Sequence, residues 1–261
     1  RRQHKHRRPV ARGAQPAQAL RSAINGQTVA HTHAETPDFA EAVDYARRVG
    51  LPGLLALDFQ QRAARLKALA KVLGERKEEL YAISAHTGAT RVDGWIDIEG
   101  GTGTLFSYAN VGAGELPSGN LIHEGPALNL GKKGTFGGTH ILVPRGGVAV
   151  HINAFNFPVW GLLEKFAPSF LAGMPCIGKP ATATSYLTEA LVRIVNESGI
   201  LPAGALQLVI GSTGDLLDRS REANRSVLGA PTLPAFERFT GVVWDALGPH
   251  DLPAPARRRA R

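Results

Sequence analysis

Cysteine is almost missing: Cys176 is alone in a chain of 261 residues. An intramolecular disulfide is therefore excluded, and a lone thiol suits a reducing compartment, so a cytoplasmic setting is expected. Long apolar runs are missing as well. No stretch approaches the ~20 consecutive apolar residues of a membrane-spanning helix. The basic N-terminal residues are not followed by the apolar segment of a secretory signal. No aromatic residue precedes Phe39, so the basic stretch before it offers no platform on which bases could stack. His31, His33, His86, His123 and His140 have no second ligand at metal-site spacing, and no metal is expected.

The net charge of +8 raises the question of nucleic acid, and its distribution argues against it. Residues 1–21 hold six Arg and one Lys with no acid, and residues 257–261 hold four Arg. The chain between them is mildly acidic. Basic character thus belongs to two tails, which can hold polyanions weakly and without sequence preference. Residues 1–21 lack an aliphatic cluster and read as a disordered tail. Residues 219–261, with eight Arg and five Pro, read as poorly ordered.

Between the tails, hydropathy periodicity predicts helices first. Thr36-Pro37-Asp38 is a helix start, followed by Phe39, Val43, Ala46 and Val49 at helical spacing, with Gly50 as the stop. A second helix begins at Asp58. Ala63, Leu66, Leu69, Ala70 and Leu73 form its apolar face, and Arg62, Arg65, Lys67 and Lys71 its wet face. A third runs from Lys77 to His86 and ends at Gly88. A fourth covers Asp93 to Val111. Its Gly101-Thr102-Gly103 resembles part of a dinucleotide loop, but no strand precedes it and Phe106 stands where a third glycine is needed. Small residues at a helix crossing explain it better. Residues 118–146 are rich in glycine and alternate short apolar stretches with turns, predicting a β-hairpin able to pair with another subunit.

From residue 147 the pattern is βαβαβ: strand 148–152, helix Phe157–Met174, strand 175–179, helix Thr184–Ser198 and strand 206–210. The strands recur about every 30 residues, as parallel strands joined by crossover helices require. The fold class is α/β, with N-terminal helices, a hairpin region and a Rossmann-like parallel sheet. Ligands of such sheets bind at the carboxyl ends of the strands. Here those ends are residues 153–156, 179–182 and 211–214.

Three strings at those ends carry a resemblance: Ile152-Asn153-Ala154-Phe155-Asn156-Phe157-Pro158, Lys179-Pro180-Ala181, and Gly211-Ser212-Thr213-Gly214-Asp215. In order and spacing they resemble the aldehyde dehydrogenase superfamily. With His86-Thr87-Gly88-Ala89-Thr90 and Trp95-Ile96-Asp97-Ile98-Glu99-Gly100-Gly101, the chain is similar to a narrower group. That group is the dehydrogenase part of the phenylacetate-degradation proteins, which join a semialdehyde dehydrogenase to a ring-opening enoyl-CoA hydratase. The resemblance covers about residues 24–218 and implies an incomplete aldehyde dehydrogenase fold over 22–218, flanked by the two tails.

The resemblance implies oxidation of an aldehyde, such as a CoA-linked semialdehyde, with NADP or NAD, by a homo-oligomer. Asn156 would donate its side-chain amide to the substrate oxygen; read from the residues alone, it caps the helix that follows. Lys179 would hold the adenosine ribose or its phosphate; the alternative is a surface lysine. Ile152 and Phe155 would line the nicotinamide, or else serve as core. Gly211 and Gly214 would form the cofactor-side turn. Thr182 occupies a position where NAD-preferring relatives carry Glu; an uncharged residue there favours NADP, with the Thr182 hydroxyl donating to the phosphate. The family's nucleophilic Cys and general-base Glu lie further along, in segments with no counterpart here, so this chain alone is expected to be inactive. Cys176, inside an apolar strand, reads as core packing, and His151 as a core histidine with its ring nitrogens satisfied. Phe239-Thr240-Gly241 matches a family turn only by chance, because Val242 follows it and the flanking pattern is missing.

Overall fold

The computed structural model describes residues 18–32 and 39–211. The helix start at Thr36-Pro37, Gly214, the Phe239-Thr240-Gly241 string and most of both basic tails lie outside the described residues. Gln18–Arg21, read from the sequence as tail, instead forms strand β1 and pairs antiparallel with β2 (Thr28–Thr32). Leu20, buried in the main core, is the apolar residue that ties this ribbon down.

Helix α1 (Phe39–Tyr45) does not end at Gly50, as expected. It runs through one π turn, Ala46–Gly50, into α2 (Leu51–Leu55). Gly50 is required for a close approach instead: a Cβ there would lie 2.3 Å from the carbonyl oxygen of Gly204. Asp58 caps α3 (Phe59–Glu75) in a reciprocal box with Gln61. The predicted apolar face of α3, from Ala63 to Leu73, is buried throughout. Arg62, assigned to its wet face, is also fully buried. Its Nε donates to Leu171 O at 2.8 Å, and its Nη1 to Leu54 O at 3.1 Å and Leu57 O at 2.6 Å. A guanidinium thus satisfies the carbonyls of Leu57 and Leu171 and shares that of Leu54, which also accepts from Leu57 N, near the ends of two helices, where a cation is electrostatically favoured.

Helix α4 (Lys77–Ser84) closes through a 3₁₀ turn onto Gly88, whose φ of 88° is left-handed. Helix α5 (Arg91–Glu115) follows, capped by Thr90. Gly101, Thr102 and Gly103 lie within α5, so they form no dinucleotide loop. Added Cβ atoms at Gly101 and Gly112 would approach Trp160 Cα to 3.0 Å and Ala63 Cβ to 2.8 Å. Small residues here let neighbouring helices close on α5.

Strands β3 (Ile122–Asn129) and β4 (Gly137–Leu142) make the predicted antiparallel hairpin, exposed along nearly its whole length. Then come β5 (Ala149–Ile152), α6 (Trp160–Leu171), β6 (Cys176–Lys179), α7 (Ser185–Ser198) and β7 (Leu206–Leu208). The strands form a parallel sheet in the order β5-β6-β7. Alternation along β6 sends Cys176 into the large core shared by α3, α5, α6 and α7, and Ile177 into a smaller cluster with Phe39, Val43 and Ala46. The sheet is therefore covered on both faces, which explains its continuous apolar strands. Among the described residues no helix is long and apolar enough to cross a membrane.

Candidate cofactor and oxyanion site

The carboxyl ends of β5 and β6 meet at one rim. Ile152 pairs with Lys179, and Asn153 N donates to Lys179 O at 3.0 Å. Thr182, on the 3₁₀ turn Thr182–Thr184, donates its hydroxyl to Gly211 O at 2.9 Å and so joins the β6 end to the turn after β7. That hydroxyl has one proton and spends it on Gly211, so it cannot also donate to a phosphate, as the sequence reading supposed. Ile152, Phe155, Lys179, Thr182 and Gly211 are thus brought together.

Their exposures separate the alternatives. Ile152 is 45% and Phe155 65% exposed, which rules out a core role for either among the described residues. Lys179 is the reverse. It is 3% exposed, so it is not a surface lysine. Its ammonium donates to Pro180 O at 2.8 Å, burial lowers its pKa, and no carboxylate pairs with it among the described residues. A buried ammonium at a strand end, with no carboxylate paired to it, suits an anionic ligand group.

Asn156 is exposed and does not cap α6. Asp97, on α5, takes that role. Its Oδ1 accepts from Trp160 N at 2.7 Å, and its two carboxylate oxygens accept from Val159 N at 3.1 and 3.2 Å. From the other side, Thr184 donates to Phe155 O at 3.1 Å and Thr188 to Pro158 O at 3.0 Å. Three side chains from outside therefore fix segment 153–159, which has no regular structure of its own. Burial, opposed by the two backbone N–H groups, pushes Asp97 up to about 6. Sequence reading missed Asp97 because its partners are 62 and 63 residues away; an acid among the apolar positions of α5 was the signal available.

Cys176 is fully buried, and that burial pushes its thiol up to about 12, although the Ser169 hydroxyl acts the other way. It faces the core, away from the rim. His151 is buried in β5, with Nε2 3.2 Å from Ser169 Oγ but Nδ1 without a partner, so it is only half satisfied. Among the described residues no group of three His, Cys, Asp or Glu could hold a metal.

A rim of this kind, at the carboxyl ends of parallel strands, is where the ligands of such sheets bind. The chain belongs to the Aldehyde dehydrogenase family, whose model matches residues 11–225. It is 42% identical over 213 residues to the 3,4-dehydroadipyl-CoA semialdehyde dehydrogenase of Aromatoleum evansii, covering 81% of this chain and 41% of that protein. An E. coli NADP-dependent enzyme superposes with a TM-score of 0.65 at 23% identity, over 76% of this chain and 39% of the other. An NAD-dependent benzaldehyde dehydrogenase from Corynebacterium glutamicum gives 0.65 at 20%, over 79% and 43%. The chain spans about two fifths of each of these relatives.

Proposed function

We propose that this chain is the nucleotide-binding part of an NADP-dependent aldehyde dehydrogenase whose substrate is a CoA-linked semialdehyde, the kind of substrate the Aromatoleum relative is named for, arising in aromatic-acid breakdown as for the phenylacetate-degradation proteins that the chain resembles. The buried, uncompensated Lys179 carries this reading, because it offers a charge to an anionic cofactor where Ile152 and Phe155 offer apolar surface. Lys179 would hold the ribose phosphate, Gly211 and Gly214 the adjoining turn, and Ile152 and Phe155 the nicotinamide. Held there, NADP would supply the acceptor for the hydride of the substrate carbon. Asn156 would donate an N–H to the substrate oxygen as negative charge develops there.

Oxidation also needs a thiolate and a base. Cys176 is the only thiol in the chain, and burial makes it inert. The purified chain is therefore expected to show no aldehyde oxidation with NADP and a CoA-linked semialdehyde. Turnover that disappears in Cys176→Ser would overturn this.

Cofactor preference is tested at Thr182 in a chimera that takes its remaining residues from the Aromatoleum relative. Thr182→Glu places a carboxylate against the ribose phosphate, and the NADP:NAD affinity ratio should fall about tenfold or more. Thr182→Val, which loses the bond to Gly211 without adding charge, should leave the ratio near its starting value. An unchanged ratio in the Glu variant would remove Thr182 as the selector.

A second reading rests on the hairpin. Leu128, Leu130, Phe136, Ile141, Leu142 and Val143 expose apolar area without a partner among the described residues. A non-catalytic chain could still pair with other subunits of its family through this surface. Sedimentation of the chain should give a species larger than a monomer, reverting to monomer when Leu128 and Ile141 are replaced by Lys. A monomer in both cases would exclude this pairing.

A further inference from the structure

Strand β5 and helix α6 face each other across a polar strip. His151 and Asn153 project to the same side of the strand. Gly161, Lys165 and Ser169, spaced four residues apart, share one face of the helix. His151 meets Ser169, and Asn153 meets Gly161, where an added Cβ would lie 3.8 Å from that of Asn153. Lys165 stands between, with Nζ donating to Gly161 O at 2.9 Å and Glu164 Oε1 at 2.7 Å. Burial first, and then the charge of Lys165, push His151 down to about 4, so its ring is neutral at ordinary pH.

Hydrogen-bond accounting fixes the tautomer. Ser169 has one hydroxyl proton and gives it to Lys165 O at 2.9 Å. His151 Nε2 must therefore carry the ring proton and donate to Ser169 Oγ, which leaves Nδ1 a bare acceptor. Nδ1 is buried without a partner, and so are both Nδ2 and Oδ1 of Asn153. Buried polar atoms in folded proteins almost always have a partner, from protein or from water. Three of the five orphan side-chain atoms among the described residues lie on this one strip, so a shared missing partner explains them better than three separate defects.

The chemistry of the three atoms selects that partner. An anion would face two acceptors, Nδ1 and Oδ1. A cation would face the ammonium of Lys165. An apolar filler would leave all three atoms unpaired. A small neutral molecule that both donates and accepts fits. We propose that ordered water occupies the strip between β5 and α6, donating to His151 Nδ1 and Asn153 Oδ1 and accepting from Asn153 Nδ2. This water holds the carboxyl end of β5 at a fixed distance from α6, one residue below Ile152. It is independent of the cofactor reading.

A crystal structure of the chain at a resolution that reveals solvent tests this directly. Density is expected within about 3.2 Å of His151 Nδ1 and of the Asn153 amide atoms. An empty strip, or protein groups bonded directly to these atoms, overturns the proposal. Thermal melting gives a second test. In a hydrated strip Asn153→Leu expels the water and strands His151 Nδ1, lowering the melting temperature by about 2–4 °C or more. In a dry strip the same change removes two orphan atoms and leaves the melting temperature unchanged or higher, and the proposal fails. Should the leucine variant not fold, Asn153→Ser decides. With water to fill the space it melts within about 2 °C of the parent, whereas a dry strip gains a cavity and loses more.

Discussion

Replacing Asp97 by alanine is expected to lower the melting temperature by about 5–15 °C. The carboxylate is 3% exposed and takes the N–H groups of Val159 and Trp160, which otherwise stay buried and unpaired. Each orphaned donor costs about 1–3 kcal/mol, giving about 2–6 kcal/mol in all. Asp97→Asn keeps one acceptor and should fall between the alanine variant and the parent.

The same carboxylate gives a pH signature. Burial, its largest influence, raises it to about 6 in the fold, whereas an unfolded aspartate titrates near 3.9. Between these values the folded state binds the extra proton. The contribution of Asp97 to stability is therefore fully present below about pH 4 and is lost as pH rises through 6. Asp97→Asn does not titrate. Between pH 4 and pH 7 the stability of the parent relative to this variant should fall by on the order of 2–3 kcal/mol. Denaturant unfolding at the two pH values measures it; a difference that does not change with pH would show that the carboxylate is not desolvated.

Arg62 should give the second large effect. Arg62→Met keeps much of the apolar stem but removes the donors that serve Leu171, Leu54 and Leu57. The carbonyls of Leu57 and Leu171 lose their partner, while that of Leu54 keeps the N–H of Leu57, and the expected cost is about 3–5 kcal/mol. Arg62→Lys keeps the charge but cannot reach three acceptors with one ammonium, so it should lose less than the Met variant and still melt below the parent. The urea midpoint measures both. A methionine variant as stable as the parent would mean that these hydrogen bonds contribute little beyond what water supplies when the chain unfolds.

Both residues mark where the sequence stopped being readable. The helices and strands followed from period: α3 from Ala63 through Leu73, and β5, β6 and β7 from short apolar runs spaced for crossover helices. Arg62 stands in helical phase with Leu66, Leu69 and Leu73, so its inward direction was in the pattern. What the pattern could not supply was the set of carbonyls, from α2 and α6, that makes burying a guanidinium tolerable. Asp97 is the same case, because its partners lie on another helix. Gly50 looked like a helix stop because glycine often is one, yet the constraint comes from Gly204, far along the chain. At the rim, family strings located Lys179 and Thr182. The burial of the one and the committed proton of the other arise only when β6, β7 and the turn between β6 and α7 are brought together.

The position of Cys176 has a kinetic meaning. A reagent that attacks thiolates finds almost none in the folded chain, since the thiol is fully buried and held at about 12. Reaction waits for an opening that reaches β6, which has β5 on one edge, β7 on the other and helices on both faces. Such an opening dismantles the parallel unit rather than fraying its border. When reclosing is fast, the ratio of the labelling rate to that of a free thiol equals the fraction of molecules open at any moment. The single buried cysteine thus makes the chain its own gauge of the opening of its parallel unit under native conditions.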